Sequence, residues 1–247
     1  MKPYIFAHRG ASGYEIENTI LSFKKAINMG AGIETDIRAT RDKKLICFHD
    51  RGFKIGKKYI SVRRLTFEEI EKIKFKDGRK IPLVDEVFQA FKNNSNDVRF
   101  SFDIANKEVG VKLLNTAKEF ALLNKIEITD RRLKVLSHLR NENKKVKLIY
   151  TLTGDINIIK DEAQNFKKLK ELDVNIINLK FSRNIEELFK TIIDNDFNCY
   201  IWGVNTKLGM KKVLELNDHH KRVEAIYTDY PDKLSDLIME YFKKIKN

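Results

Sequence analysis

The sequence predicts a (β/α)8 barrel, and three observations carry that prediction. Strand-like apolar runs alternate with stretches of helical period along the chain, making eight strand–helix units with short connectors. The 247 residues suit one such barrel. Ionisable residues gather at or near the ends of the first strand-like runs, where barrels build their reaction centres. A doubly wound open sheet is the alternative, but no dinucleotide glycine fingerprint follows the first strand.

Tyr4–Ala7 reads as the first strand. Asn18–Met29 reads as the first helix, because Ile20, Leu21, Phe23 and Ile27 recur at helical spacing before Gly30 and Gly32 end it. Ile33–Ala39 is the second strand, and Leu45–Phe48, after the turn Arg41-Asp42-Lys43, reads as its extension. Thr66 with Glu69 three residues on is a capping-box signal for a short helix through Ile73. Ile81-Pro82-Leu83 leads into a helix near Val84–Phe91. Val98–Asp103, with Phe100 and Phe102 on one face, is a strand, and Glu108–Leu123 is the helix after it, with Asn106 a candidate cap. The remaining units pair Ile126–Ile128 with Arg131–Asn141, Lys147–Thr151 with Ile159–Leu172, and Val174–Asn178 with Asn184–Asp194. Asn198–Trp202 then pairs with Leu208–Leu216, and Ala225–Thr228 with Asp232–Tyr241. Residues 51–80 form a Lys- and Arg-rich excursion after the second strand region, placed to cover the mouth of a site, with Phe53 and Tyr59 as candidates for an apolar wall. No linker or internal repeat divides residues 1–247, which read as one domain.

Lys and Arg number 48 against 35 Asp and Glu, for a net charge of +13. The 42% of hydrophobic residues excludes a disordered chain. The excess charge, mostly scattered lysine, reads as a solvated surface or as attraction to anionic substrates and lipid head groups. No helix-turn-helix, zinc-finger or RNA-binding motif accompanies it, so a specific nucleic-acid partner is not expected. No apolar run reaches the roughly 18–20 residues of a transmembrane helix. No signal-peptide core follows Met1-Lys2-Pro3. The expectation is a cytoplasmic protein with at most weak peripheral membrane contact. Cys47 and Cys199 lie in apolar runs and read as buried thiols. Oligomeric state is not legible.

Glu34 and Asp36 are two apart on one strand and therefore face the same way. Inside a barrel they repel unless a cation lies between them, and a hard divalent ion, Mg²⁺ or Ca²⁺, is the natural solution. Facing outward, they would be salt-bridged to Lys or Arg. Asp103 ends another strand and can bring a third carboxylate to the same centre, or cap a helix. His8 and His49 both follow apolar runs. Placed on opposite sides of a phosphorus, two histidines serve as base and acid near neutral pH. Each could instead be a satisfied structural histidine. Arg9 offers a fork to phosphate oxygens or a structural salt bridge. Gly10 and Gly13 permit a tight turn. Asn205 and Thr206 are candidate helix caps, and Thr228-Asp229 a turn before Pro231.

These residues closely match one pattern. His8-Arg9-Gly10, Gly13, Glu17-Asn18-Thr19, Glu34-Thr35-Asp36 and His49-Asp50, in that order, resemble the opening signature of the glycerophosphodiester phosphodiesterase family. Ile201-Trp202-Gly203-Val204-Asn205 resembles its Trp-x-x-Asn strand, and Val223–Asp232 its closing Thr-Asp-x-Pro segment. The resemblance implies a barrel with a divalent cation, hydrolysing a small glycerophosphodiester to glycerol 3-phosphate and an alcohol. It implies His8 and His49 as the acid/base pair and Arg9 on the phosphate. Glu34, Asp36 and Asp103 would be metal ligands, and Glu17 would lie near the metal and glycerol. Read by itself, Trp202 near the end of its strand offers its ring either to the glycerol carbons or to simple core packing. Two departures stand out. Asp103-Ile104-Ala105 replaces the family's Glu-x-Lys, and Ile16 replaces its proline. Asp103 and Ala105 would share a face, so a lysine at 105 is expected to reach the phosphate. The alternatives are a phospholipase-like enzyme acting on a lysophospholipid or phosphoinositide, and a non-catalytic binding or adhesion protein on the same barrel.

Overall fold

A computed structural model describes residues 2–94, 98–152 and 163–246. Eight parallel strands form a ring: β1 (Tyr4–Ala7), β2 (Gly32–Ala39), β6 (Phe100–Ile104), β7 (Ile126–Asp130), β8 (Lys147–Leu152), β9 (Ile176–Lys180), β10 (Asn198–Trp202) and β13 (Ala225–Thr228). β1 pairs with β2 on one side and β13 on the other, which closes the (β/α)8 barrel that the alternation predicts. Around it lie α1 (Ile20–Asn28), α3 (Val84–Phe91), α4 (Lys107–Glu119), α5 (Leu133–Glu142), α6 (Ala163–Glu171), α7 (Ile185–Asp194), α8 (Lys207–Glu215) and α9 (Pro231–Lys246). Of the expected Ile159–Leu172 helix, residues 159–162 lie outside the described residues.

Alternation along each strand sorts the residues into two populations. Ile33, Phe100, Phe102, Ile128, Leu148, Ile177 and Ile201 join the helix residues Phe23, Phe88, Leu113, Leu136 and Phe189 in the main core. Phe6, Ile149, Ile176, Tyr200 and Tyr227 form a separate cluster, with Phe6 stacked on Tyr227 at a centroid distance of 5.0 Å. Beneath it, Arg99 lies over the rings of Tyr4 and Phe6, at 4.3 and 5.2 Å, and donates to the Tyr200 hydroxyl at 2.7 Å. Arg99 also donates to Glu127 at 2.6 Å, and Lys147 donates to the same carboxylate oxygen at 3.3 Å.

This charged plug seals the amino-terminal end of the barrel. The Glu127 side chain is 2% exposed, so its charge depends on those two cations. Removing one partner of such a pair leaves the other desolvated without compensation. Glu127→Ala is expected to destabilise the protein by about 3 kcal/mol, or about 6–12 °C in Tm for a chain of this size. Calorimetric melting checks it. A shift below about 2 °C would show that the plug contributes little.

Two elements depart from the sequence reading. The Leu45–Cys47 segment (β3) is not an extension of β2. It turns back and pairs antiparallel with it, Ile37 opposite Cys47 and Ala39 opposite Leu45. Residues 51–80 contain a hairpin of β4 (Gly52–Ile55) and β5 (Lys58–Ser61), a 3-10 turn at Val62–Arg64, and α2 (Phe67–Glu71). The Thr66–Glu69 capping box is present at α2. The excursion has its own small core, in which Phe53, Val62 and Ile70 pack with Ile46, Phe48 and Ile81. A second hairpin, β11 (Asn217–Asp218) with β12 (Lys221–Arg222), precedes β13 and has no counterpart in the sequence reading.

Candidate active site

At the carboxyl-terminal end of the ring, β2 and β6 are in register so that Asp36 lies opposite Asp103 and Glu34 opposite Ser101. Because Glu34 and Asp36 share a face, all three carboxylates converge. One ligand atom from each of Glu34, Asp36 and Asp103 lies within 4.8 Å of the others. They line a cleft of about 160 Å³ together with His8, Arg9, His49, Thr129, Thr151, Asn178, Trp202 and Tyr227. Glu17 is not among the lining residues. It stands one step back, accepting from Arg9 Nη1 at 2.9 Å.

Crowding three carboxylates is unfavourable, and their protonation shows it. Burial, then the charges of Asp36 and Asp103, push the Glu34 pKa well above the usual carboxylate range. Burial, then Asp36 and Asp130, push Asp103 up to about 7. Asp103 is exposed and lines the cleft, which leaves it open to a ligand. Asp36 Oδ2 is buried without a hydrogen-bond donor. Hard carboxylate oxygens that crowd and repel one another suit a divalent cation such as Mg²⁺ or Ca²⁺. A second cluster among the described residues, Asp194, Asp218 and His219, sits where α7 ends, at the opposite end of the barrel. There Lys190 already lies 4.0 Å from Asp194 and 3.7 Å from Asp218.

The turn after β1 aims the next residues. Arg9 and Gly10 both take left-handed backbone conformations, with φ of 55° and 78°. A β-carbon at Gly10 would lie 2.3 Å from Ser22 Oγ and 2.6 Å from the Ser22 carbonyl carbon, so only glycine fits there. This bend lets the Arg9 backbone N–H donate to Glu34 Oε2 at 2.8 Å. It also places the guanidinium between Glu17 and Asp36, with Nε 3.3 Å from Asp36 Oδ2.

Both histidines are held by carboxylates. His8 Nδ1 is 2.8 Å from Asp229 Oδ1, a partner 221 residues away. Burial works to raise the Asp229 pKa, but the hydrogen bonds and charge of His8, the Ser12 hydroxyl and Arg9 outweigh it and hold it below the usual range. Asn205 fixes Asp229 further, donating to Oδ2 at 2.5 Å and accepting from its backbone N–H at 2.8 Å. His49 Nδ1 is 2.9 Å from Asp50 Oδ1, and the His49 carbonyl accepts from Arg38 Nε at 2.8 Å. Committing Nδ1 to a carboxylate leaves Nε2 of each ring for proton transfer.

In the sequence Asp229 reads as a turn residue and as part of the closing Thr-Asp-x-Pro segment, with no site role, since nothing local ties it to His8. Sequence reasoning also passed over Thr129, Thr151, Asn178 and Tyr227. Their signal was a polar atom near the carboxyl-terminal end of a strand, in step with the inward positions. Thr151 Oγ1, Asn178 Oδ1 and Trp202 Nε1 are buried without a hydrogen-bond partner among the described residues, so the cleft floor offers a donor and acceptors to a hydroxylated ligand. Trp202 lines that floor at the end of β10, with Lys180 Nζ 5.3 Å from its ring. Phe53 does not form a wall over the cleft, because its ring packs on Phe48 and Phe75 at 4.5 and 5.5 Å. Ala105 does not line the cleft either. β6 ends at Ile104, and Ala105, two residues beyond Asp103, lies in a neighbouring groove. Asn106 and Thr206 cap α4 and α8 as expected, whereas Asn205 is engaged with Asp229.

The model of the glycerophosphoryl diester phosphodiesterase family matches residues 8–233. The chain belongs to this family. A glycerophosphodiester phosphodiesterase of Caldanaerobacter subterraneus subsp. tengcongensis is 27% identical over 267 residues, covering 96% of this chain and 98% of the relative. Lysophospholipase D GDPD1 of Homo sapiens is 23% identical over 280 residues, covering 95% and 86%. The fold is also that of an Oleispira antarctica phosphodiesterase solved in complex with the product sn-glycerol-3-phosphate. That similarity has a TM-score of 0.80 and 17% identity, covering 96% of this chain and 97% of the other. Family and fold together support phosphodiester hydrolase activity on glycerophosphodiesters. Among the described residues, no helix is long and apolar enough to cross a membrane.

Proposed function

We propose that this glycerophosphodiesterase cleaves soluble glycerophosphodiesters to glycerol 3-phosphate and an alcohol, using His8 and His49 as paired acid and base and a divalent cation held by Glu34, Asp36 and Asp103. The observation that carries the reading is the meeting of three carboxylates, one arginine and two carboxylate-held histidines in a single cleft of about 160 Å³. When bound, the cation would neutralise the carboxylates and draw charge from the non-bridging phosphate oxygens. Arg9, anchored by Glu17, turns its remaining N–H groups to the same phosphate. One histidine takes the proton of the attacking oxygen, and the other returns a proton to the leaving alcohol. Asp229 and Asp50 hold the two rings through Nδ1 and so orient them. Trp202, Asn178 and Thr151 present apolar surface and hydrogen-bonding atoms to a polyol.

A binding protein would have no need of two such dyads, and Phe53, one candidate for the apolar rim of a lipid-cleaving enzyme, is packed inside the excursion's own core. The test is release of glycerol 3-phosphate from a panel of glycerophosphodiesters, with added Mg²⁺ or Ca²⁺ and with EDTA. Absence of release under every metal condition would defeat the proposal. The His8 dyad gives a narrower prediction. Asp229→Asn keeps the shape but removes the charge, and is expected to lower kcat about tenfold or more, without exceeding the about 10²–10⁴-fold ascribed to the histidine itself. Unchanged kcat would mean that Asp229 only closes the chain turn.

A further inference from the structure

We propose that the groove beside the cleft binds a second negative charge, carried by the alcohol end of the substrate, so that the enzyme prefers glycerophosphodiesters whose alcohol bears a phosphate. This rests on the reading above and specifies its substrate class. The groove is larger than the cleft, about 740 Å³ against about 160 Å³. It begins where β2 and β6 end. Arg38 follows Asp36 by two residues and Ala105 follows Asp103 by two, and both line it. Arg38 also donates to the carbonyl of His49, so one residue forms a wall of the groove and supports an acid/base histidine. It senses the charge of Asp36 from the cleft and of Arg51 from the groove.

The lining is strongly cationic. Arg38, Arg41, Lys43, Arg51, Arg63 and Lys112 contribute, against Glu108 as the sole lining carboxylate. Glu69 lies 3.1 Å from Arg41, and Lys112 donates to the Lys43 carbonyl. Arg51 and Arg63 have no carboxylate partner among the described residues, so two guanidinium forks face the groove without compensation. Like charges gathered without counter-charge are unfavourable in the free protein, and a phosphate between them relieves that repulsion. A phosphodiester fixed in the cleft can extend its alcohol past His49 into this space. There a phosphate monoester meets the arginines, while a neutral alcohol gains nothing from them.

The experiment compares glycerophosphoinositol with glycerophosphoinositol 4-phosphate, which differ only in one phosphate on the alcohol. At low salt the phosphorylated diester is expected to have at least about tenfold higher kcat/KM. That ratio should fall towards one in the R51E/R63E double variant, and in wild type at high salt, because an open cationic groove is screened. Melting curves establish that the variant is folded. Calorimetric binding of inositol 4-phosphate alone reads the groove without turnover, and should be lost in the double variant. If neither diester is hydrolysed but inositol 4-phosphate still binds through Arg51 and Arg63, the proposed activity fails and the groove site stands. A wild-type ratio near one, or a ratio and binding unchanged in the variant, overturns the inference. So does Arg51- and Arg63-dependent sedimentation with phosphatidylinositol 4-phosphate vesicles without any preference among the soluble diesters, which would assign the groove to a membrane surface.

Discussion

Alanine at His8 or at His49 is expected to lower kcat by about 10²–10⁴-fold, the range for a positioned acid or base. The fold should survive both changes. His8 sits at the turn after β1 with its side chain 29% exposed, and the His49 side chain is 46% exposed, so neither replacement opens a core cavity. The double variant should lose little beyond the worse single variant, because groups that act as a unit are not additive. Steady-state release of glycerol 3-phosphate, beside melting curves of each variant, makes the measurement. Near-wild-type turnover in folded His8→Ala and His49→Ala proteins would refute the paired assignment. A large loss in one variant alone would keep that histidine and remove the other.

Removal of divalent metal is expected to abolish turnover while altering stability in a defined direction. Several kcal/mol of charge stabilisation at the phosphate correspond to a loss of about 10³-fold or more. Without metal, Asp103 titrates at about 7 in the folded protein, against about 3.9 in an unfolded chain. The folded state then binds more protons than the unfolded state between those values. The stability linked to Asp103 is therefore full below about pH 4 and is lost as pH rises through about 7. Tm measured in EDTA should decline across that window apart from other groups' contributions, and saturating Mg²⁺ or Ca²⁺ should reverse the decline at its upper end. Glu34→Gln replaces a carboxyl whose charged form burial and its neighbours already disfavour. Its Tm in EDTA near pH 7 should match or exceed wild type, while metal affinity and turnover fall. A marked destabilisation in Glu34→Gln, with metal-stimulated turnover retained, would show that Glu34 serves packing and the Arg9 backbone rather than a cation.

The sequence already held the alternation that makes eight strand–helix units, because strand and helix periods are written in windows of a few residues. It also held every lining residue from the ordered amino-terminal motifs, since His8, Arg9, Glu34, Asp36 and His49 lie on or directly after elements whose ends can be read locally. Glu34 and Asp36 had to share a face once β2 was a strand.

What tertiary structure alone decided concerns partners distant in sequence and residues beyond the strand ends. The register of β2 on β6 sets Asp36 opposite Asp103, and a slip of one residue would have turned Asp103 away. Closure of β1 on β13 brings Asp229 to His8, which no local pattern connects. The chain folds back at Leu45–Cys47 because hydrogen bonds to β2 satisfy its backbone there, although the apolar run looked the same in either direction. Ala105 lies outside the cleft because, like Arg38 on β2, it sits two residues beyond a cleft carboxylate and lines the neighbouring groove. Short-range periodicity determines which face a residue takes. Which residues meet across that face depends on how the ring closes.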